Sequence, residues 1–305
     1  MAPLTVIMVS WNACDLLATA IASVPPIVGG ATIELIVVDN ASTDGSPEMI
    51  AERFPNVRVI RNAENVGFAR ANNQALVESR GEYVLLLNSD TQLHSGALAS
   101  LVSFLEEHPH VGIVGPQLVY PDGRRQFSFG RFPSLREQAA IAFGLGRYVI
   151  RDDHTARNNQ SEQEVDYVSG ACMLIRRTAI DVVGIMDEQF FMYCEETDWC
   201  YRMRKAGWSV CFEPAAIVMH VRGGSTRIVR GEMLGELYRS RVRYMRKHHG
   251  RHLVWGMKCC MMADALIRVL ACQVLAWLPR QYRLHSDTNP CIQRYWNLLK
   301  RLSSF

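Results

Sequence analysis

The chain has 305 residues, 49% hydrophobic and 21% charged, with a formal net charge of +3. This length fits one large domain or two small ones, and the composition excludes wholesale disorder, a collagen-like repeat and a disulfide-stapled miniprotein. The charge is unevenly spread: residues 1–221 carry 17 basic against 26 acidic residues, and residues 222–305 carry 16 against 4, which points to a polyanionic partner or an anionic membrane surface for the C-terminal part.

Leu4–Val9 is an apolar run that ends at Ser10-Trp11-Asn12; it reads as a buried first strand, not a signal peptide, because no basic residues precede it. Cys14–Val24 has helical spacing and stops at Pro25-Pro26. Glu34–Val38 is a second strand, closed by the turn formers Asp39-Asn40-Ala41-Ser42-Thr43-Asp44-Gly45. Ser46 and Pro47 open a helix that runs to about Phe54. Val57–Arg61 is a strand, Gly67–Ser79 a helix, and Tyr83–Leu87 a strand ending in Asn88-Ser89-Asp90. Ala97–His108 is a helix and Gly112–Val119 a strand. Periodicity is weak from about Asp122 to Glu164, and Arg151–Glu164 reads as a mobile loop. Val165–Arg176 reads as a strand interrupted by Gly170, Glu195–Ala206 as a helix, and Val210–Phe212 and Ala216–His220 as short strands. Leu253–Leu278 is apolar but contains Lys258, Asp264 and Arg268. It suits an amphipathic helix on a membrane or a helix packed on the main domain better than a spanning segment. The cysteine count is nine, with no C-x-x-C pair, which favours reduced cytosolic thiols.

Strand–helix alternation of this kind specifies a mostly parallel α/β sheet with helices on both faces. Ligands bind such sheets beyond the carboxyl ends of the strands, where Ser10–Asn12, Asp39–Asp44 and Asn88–Asp90 all fall. A carboxylate at Asp39 can accept the ring N–H of a pyrimidine base, with Asn40 and Asp44 holding the loop or the ribose; the same cluster can also form an Asx-turn that caps the next helix. Asp90 can bind a hard divalent cation that also holds a diphosphate, or can serve as a turn residue. Asp187-Glu188 and Glu195-Glu196-Thr197-Asp198 flank the apolar Phe190–Tyr193. An apolar wall raises a carboxylate pKa and suits a general base, although acidic residues also stabilise a helix start. His220 can complete a metal site with Asp90 or be a structural histidine.

Taken in order, seven elements resemble the family-2 glycosyltransferases of GT-A fold, and within them the rhamnosyltransferase-type enzymes of bacterial cell-surface polysaccharide assembly. They are Val9–Asn12, Val37–Ser46, Glu64–Asn73, Leu85–Thr91, Ser169–Arg177, Asp187–Trp208 and His220–Thr226. The resemblance implies a Rossmann-like sheet, a catalytic domain over residues 1–228, and a basic helical extension over 229–305. It implies that Asp39 recognises the base with Ser10 and Asn12 lining its pocket. Asn65, Gly67 and Arg70 then lie along the nucleotide, and Gly170 lies on the donor. Asn88-Ser89-Asp90 stands at the family's D-x-D motif with Asn in the first place, so Asp90 is the main carboxylate ligand of Mg²⁺ or Mn²⁺ and His220 the late ligand. Glu196 takes the position of the usual base, with Glu195 and Asp198 as alternatives. The implied reaction moves a sugar, rhamnose by resemblance, from a nucleoside-diphosphate donor to a polyprenyl-diphosphate-linked or glycan acceptor with inversion. The competing readings are a nucleotidyltransferase, for which a Gly-rich phosphate loop after the first strand is missing, and a non-catalytic nucleotide-sugar-binding module. The basic segment Arg239–Arg251 with the neighbouring apolar stretch implies a peripheral position on the inner face of the plasma membrane. It carries no nucleic-acid recognition motif.

Overall fold

The computed structural model describes residues 4–146, 161–221, 230–277 and 289–302. The chain divides into two compact units, one of residues 1–132 and 153–228 and the other of residues 133–152 and 229–305.

The first unit begins with β1 (Leu4–Ser10), α1 (Cys14–Ser23), β2 (Ile27–Val28), β3 (Ala31–Asp39), α2 (Ser46–Arg53) and β4 (Arg58–Arg61). It continues with α3 (Phe68–Glu78), β5 (Tyr83–Leu87), β6 (Thr91–Leu93), α4 (Ala97–Glu107), β7 (Val111–Val119) and β8 (Phe129–Gly130). After α5 (Leu135–Ala142), which belongs to the second unit, come β9 (Gln163–Glu164), β10 (Tyr167–Val168), β11 (Cys172–Arg176), α6 (Arg177–Val183), α7 (Glu195–Lys205) and β12 (Ser209–His220).

Ten strands form one sheet in the order β2-β3-β1-β5-β11-β7-β12-β6, with β4 also on β3 and β9 on β12. The β4-β3-β1-β5 half is parallel, as is β7 with β12, while β11 runs antiparallel to both its neighbours. Side chains alternate between two cores. Leu85 and Leu87 pack with Leu17, Leu98 and Leu101 on one face, and Val84 and Leu86 pack with Leu76, Trp199 and Met203 on the other. Both faces are therefore covered by helices, which is why these strands read as unbroken apolar runs. The parallel half sets its carboxyl ends side by side, with Ser10 in register with Asp39.

Four departures from the sequence reading have physical causes. The two short strands near Cys211 and Met219 are one strand, β12, whose register shifts between Glu213 and Ile217 around Pro214, a residue without a ladder donor. The Val165–Arg176 segment breaks at Ser169-Gly170-Ala171, so that β10 pairs with β8 in a separate two-stranded sheet while β11 enters the main one. Of the loop expected over 151–164, residues 151–160 lie outside the described residues and Gln163–Glu164 pairs with β12. Cys14, Cys172, Cys194, Cys200, Cys211, Cys259 and Cys260 are free thiols, whereas Cys272 is disulfide-bonded; pairing follows spatial approach, which sequence spacing does not reveal.

The second unit contains α5, α8 (Arg230–His248), α9 (Arg251–Trp277) and α10 (Asn289–Leu302). Val242, Tyr244, Met245, Met257, Met261 and Ala265 are buried in it. Asp264, also buried, accepts hydrogen bonds from Tyr238 Oη at 2.7 Å and Arg268 Nε at 2.8 Å, so charged groups in the apolar stretch serve its packing. Trp255, Leu266, Ile267, Leu270 and Val274 stay exposed on α9. Among the described residues, no helix is long and apolar enough to cross a membrane.

Candidate functional site

The ends of β1 and β3 form one polar corner. Ser10 and Asp39 are buried, and Ser10 Oγ and Asp39 Oδ1 have no hydrogen-bond partner. A buried carboxylate oxygen left unmatched is costly, so an added N–H or O–H donor at this corner would be favourable. The second Asp39 oxygen accepts the Ser42 N–H at 3.1 Å. Asn12 and Asp44 are occupied differently. Asn12 Oδ1 accepts the Thr43 N–H at 2.8 Å, and Asp44 accepts the Cys14 N–H at 2.8 Å and both Ser46 donors. These bonds tie the loop after β1 to the loop after β3. Burial pulls the Asp44 carboxyl up, but the Ser46 and Cys14 hydrogen bonds outweigh it and leave its pKa below the usual value.

A second set of bonds joins the start of α3 to the segment before α7. Asn40, buried, donates to the Gly67 carbonyl at 3.3 Å and accepts from Asn62 at 2.9 Å. Asn65 accepts the Gly67 N–H at 3.0 Å. Gly67 has φ +86°, and the following Phe68 N–H donates to the Phe191 carbonyl at 2.8 Å. Asn73 donates to the Met186 carbonyl and to Glu188, and accepts the Met186 N–H. Arg70 is exposed and lies 3.9 Å from Glu188. Asn12, Ala41, Tyr193 and Cys194 are the non-glycine residues with positive φ among those described. All four lie in these loops, and such strain gathers where surrounding structure dictates a precise backbone path.

The third part lies beyond β5. Antiparallel pairing sets His220 opposite Thr91 and so brings His220 Nε2 to 3.2 Å from Asp90 Oδ1, with both side chains largely covered. Asn88 Oδ1 is buried without a hydrogen-bond partner, and Ser89 is buried beside it. The Asn88 N–H donates to the Ala171 carbonyl at 2.9 Å. Next to Ala171, Gly170 faces the base candidate: a Cβ there would sit 3.5 Å from Glu196 Cβ. Glu196 keeps part of its surface accessible, yet burial raises its carboxyl pKa. Glu195 is buried more deeply. Asp198 is fully covered and bonded to Arg202 Nε at 2.9 Å, while that guanidinium also reaches the Val183 and Ile185 carbonyls.

The structure therefore sets Ser10 beside Asp39 and His220 beside Asp90, bonds Asn88 to Ala171, and places Gly170 facing Glu196. It turns Asn12, Asp44 and Asp198 toward loop and helix contacts. Sequence reasoning missed Asn73, which lies within the Glu64–Asn73 element, and Gln126, which contacts His220 and has no sequence signal. The two arginines of the Ser169–Arg177 element are backbone clamps: Arg176 donates to the Val111, Leu105 and His108 carbonyls, and Arg177 to those of Gly81, Leu76 and Ser79.

Residues 5–184 match the sequence model of the family described as Glycosyl transferase family 2. The N-acetylglucosaminyl-diphospho-decaprenol L-rhamnosyltransferase of Mycobacterium tuberculosis is 34% identical over 210 residues, covering 64% of this chain and 68% of that protein. Rhamnosyltransferase WbbL of Escherichia coli is 26% identical over 164 residues, 50% of this chain and 60% of its own. Mannosyltransferase PcManGT from Pyrobaculum calidifontis, solved in complex with GDP-Man and Mn²⁺, superposes with a TM-score of 0.59 at 16% identity over 99% of this chain and 86% of that one.

Proposed function

Because the chain belongs to glycosyl transferase family 2 and has a GT-A-type fold, we propose that it moves a rhamnosyl group from a nucleoside-diphosphate donor to a hydroxyl of a lipid-linked sugar, with inversion. The sugar and the lipid-linked acceptor rest on similarity to the Mycobacterium tuberculosis enzyme, whose name states both. The unmatched Asp39 Oδ1 beside Ser10 Oγ suits the ring N–H of a pyrimidine, which supports a thymine or uracil nucleotide; dTDP rests on the likeness to rhamnosyltransferases.

One juxtaposition carries the mechanism: Gly170-Ala171 leaves only the space of a side chain before Glu196 on one side and is bonded to the Asn88 N–H on the other. Glu196 takes the proton of the acceptor hydroxyl as that oxygen bonds to the anomeric carbon. The bond from this carbon to the diphosphate oxygen breaks on the opposite face, and the nucleoside diphosphate leaves with the electron pair. The raised proton affinity of Glu196 suits this task. Asp198, fully covered and paired with Arg202, is a structural residue, and the deeper Glu195 is less accessible to an acceptor.

Asp90 and His220 fit Mg²⁺ or Mn²⁺ as a carboxylate oxygen and an imidazole nitrogen facing each other, with the buried Asn88 Oδ1 in the same loop. Among the described residues, no group of three His, Cys, Asp or Glu side chains forms a metal cluster, and ions of this kind commonly complete their shell with substrate phosphates and water. Asp90 and His220 would hold such an ion, which when bound would supply positive charge to offset that on the diphosphate.

Glu196→Gln is expected to lower turnover at least about 100-fold with donor affinity unchanged; turnover at the wild-type level refutes the assignment. Thermal stabilisation by a panel of nucleotide sugars, with and without Mn²⁺, tests the donor.

For the second unit, the exposed Trp255, Leu266, Ile267, Leu270 and Val274 of α9 and the basic α8 residues Arg239, Arg243, Arg246 and Lys247 suit an anionic lipid surface at the inner face of the membrane. The full chain should float with phosphatidylglycerol vesicles, and a Trp255→Glu, Leu270→Glu variant should not. Equal flotation overturns this reading.

A further inference from the structure

His220 has two ring nitrogens, and only one can face Asp90. The other, Nδ1, is hydrogen-bonded to Gln126 Oε1. The orientation of a glutamine amide is ambiguous until its second contact is known. Here Gln126 Nε2 donates to the backbone carbonyl of His220 itself at 3.1 Å, so the oxygen must be the atom that meets Nδ1. A carbonyl oxygen only accepts. Nδ1 therefore carries a hydrogen, so a neutral ring has its lone pair on Nε2, the nitrogen 3.2 Å from Asp90 Oδ1.

Gln126 is itself held at both ends. Its N–H donates to the Leu118 carbonyl at 2.8 Å, and its carbonyl accepts from Ser128 Oγ at 3.0 Å and Gln117 Nε2 at 3.4 Å. Gln117 and Ser128 are bonded to each other at 3.1 Å, and all three side chains are buried. A hydrogen-bonded chain thus runs from β7 to the last residue of β12. An apolar side chain in the same space would leave both His220 Nδ1 and the His220 carbonyl unmatched, so the amide answers the ring and the backbone of one residue at once. The contact spans 94 positions of sequence and grips one imidazole from its ring and its backbone together.

We infer that Gln126 is a positioning residue for divalent-metal binding: it fixes the tautomer and ring orientation of His220 so that Nε2 is available next to Asp90. The inference rests on the proposed metal role of Asp90 and His220. Outer contacts of this type typically change metal affinity about 10–100-fold.

The test is a titration of the full chain with Mn²⁺ alone, following the free-ion paramagnetic resonance signal, with urea unfolding as the control for folding. Gln126→Leu and Gln126→Met retain bulk and lose the acceptor. Each should weaken Mn²⁺ binding about 10–100-fold, while the urea midpoint reports separately the cost of the two lost hydrogen bonds and shows that the variant is folded at the titration conditions. In a His220→Ala background neither should weaken it further, because Gln126 acts through that imidazole. Wild-type affinity in both variants, or losses that add to that of His220→Ala, overturns the inference while leaving the metal reading intact. A wild-type chain that does not bind Mn²⁺ overturns both.

Discussion

Gly67 and Gly184 have almost the same backbone conformation, φ +86° and +83° with ψ 176° in both. This region belongs essentially to glycine, and another residue pays about 1–3 kcal/mol to occupy it. Their surroundings differ. A Cβ at Gly184 meets nothing within 4 Å, whereas a Cβ at Gly67 would stand 2.5 Å from the Phe191 carbonyl oxygen and 2.7 Å from Phe191 Cδ2. Carbon–oxygen contacts settle at about 3.3–3.6 Å, and that carbonyl is held by the Phe68 N–H at 2.8 Å. Relief therefore requires loss of this hydrogen bond, about 0.5–1.5 kcal/mol, and local overpacking, about 1–3 kcal/mol. Gly67→Ala should be less stable than Gly184→Ala by about 1.5–4.5 kcal/mol, a gap in melting temperature of roughly 3–18 °C for a unit of this size. Calorimetry of both variants in the full chain measures the gap directly. Equal destabilisation would refute the claim that the α3 start is locked to the Phe191 segment.

Burial makes folded Glu196 hold its proton more tightly than the unfolded chain does. Stability from this group is therefore complete below the ordinary glutamate value and is lost as pH rises through the raised one. Glu196→Gln should raise the unfolding midpoint at pH 8 and leave it unchanged at pH 4; the same shift at both contradicts the burial argument. Asp39→Asn removes the charge on an unmatched buried acceptor, and affinity for dTDP measured by calorimetry should fall about 10–100-fold, the value of a charged hydrogen bond. An unchanged affinity would move the base elsewhere. Arg177→Ala should cost about 1.5–3 kcal/mol of stability in urea with donor affinity intact, because this guanidinium serves carbonyls and Ser79. The reverse pattern would make it a phosphate contact.

The strands were most legible where a run of apolar residues stops at a polar turn. Tyr83–Leu87 has identical bounds in sequence and structure because all five side chains are buried and Asn88 follows. Short or interrupted elements were not legible. The three residues of β6 and the seven of α6 offer too little periodicity, and Pro214 hid the continuity of β12. Within the site, residue types at strand ends could be read, but their partners could not. Asn12 and Asp44 resemble ligand groups in sequence, yet their acceptors are taken by loop N–H groups. Asn73 reaches Met186 across 113 positions, a distance over which local pattern carries no information.

The corner shared by Ser10 and Asp39 exists in only one register of β1 against β3. Moving either strand by one position would turn its side chains to the opposite face of the sheet and carry the two unmatched oxygens into separate cores. Descendants of this chain can thus alter the polarity of the corner by exchanging residue 10 or 39, whereas an insertion or deletion inside either strand would erase the corner altogether. Evolution at this spot is confined to substitution.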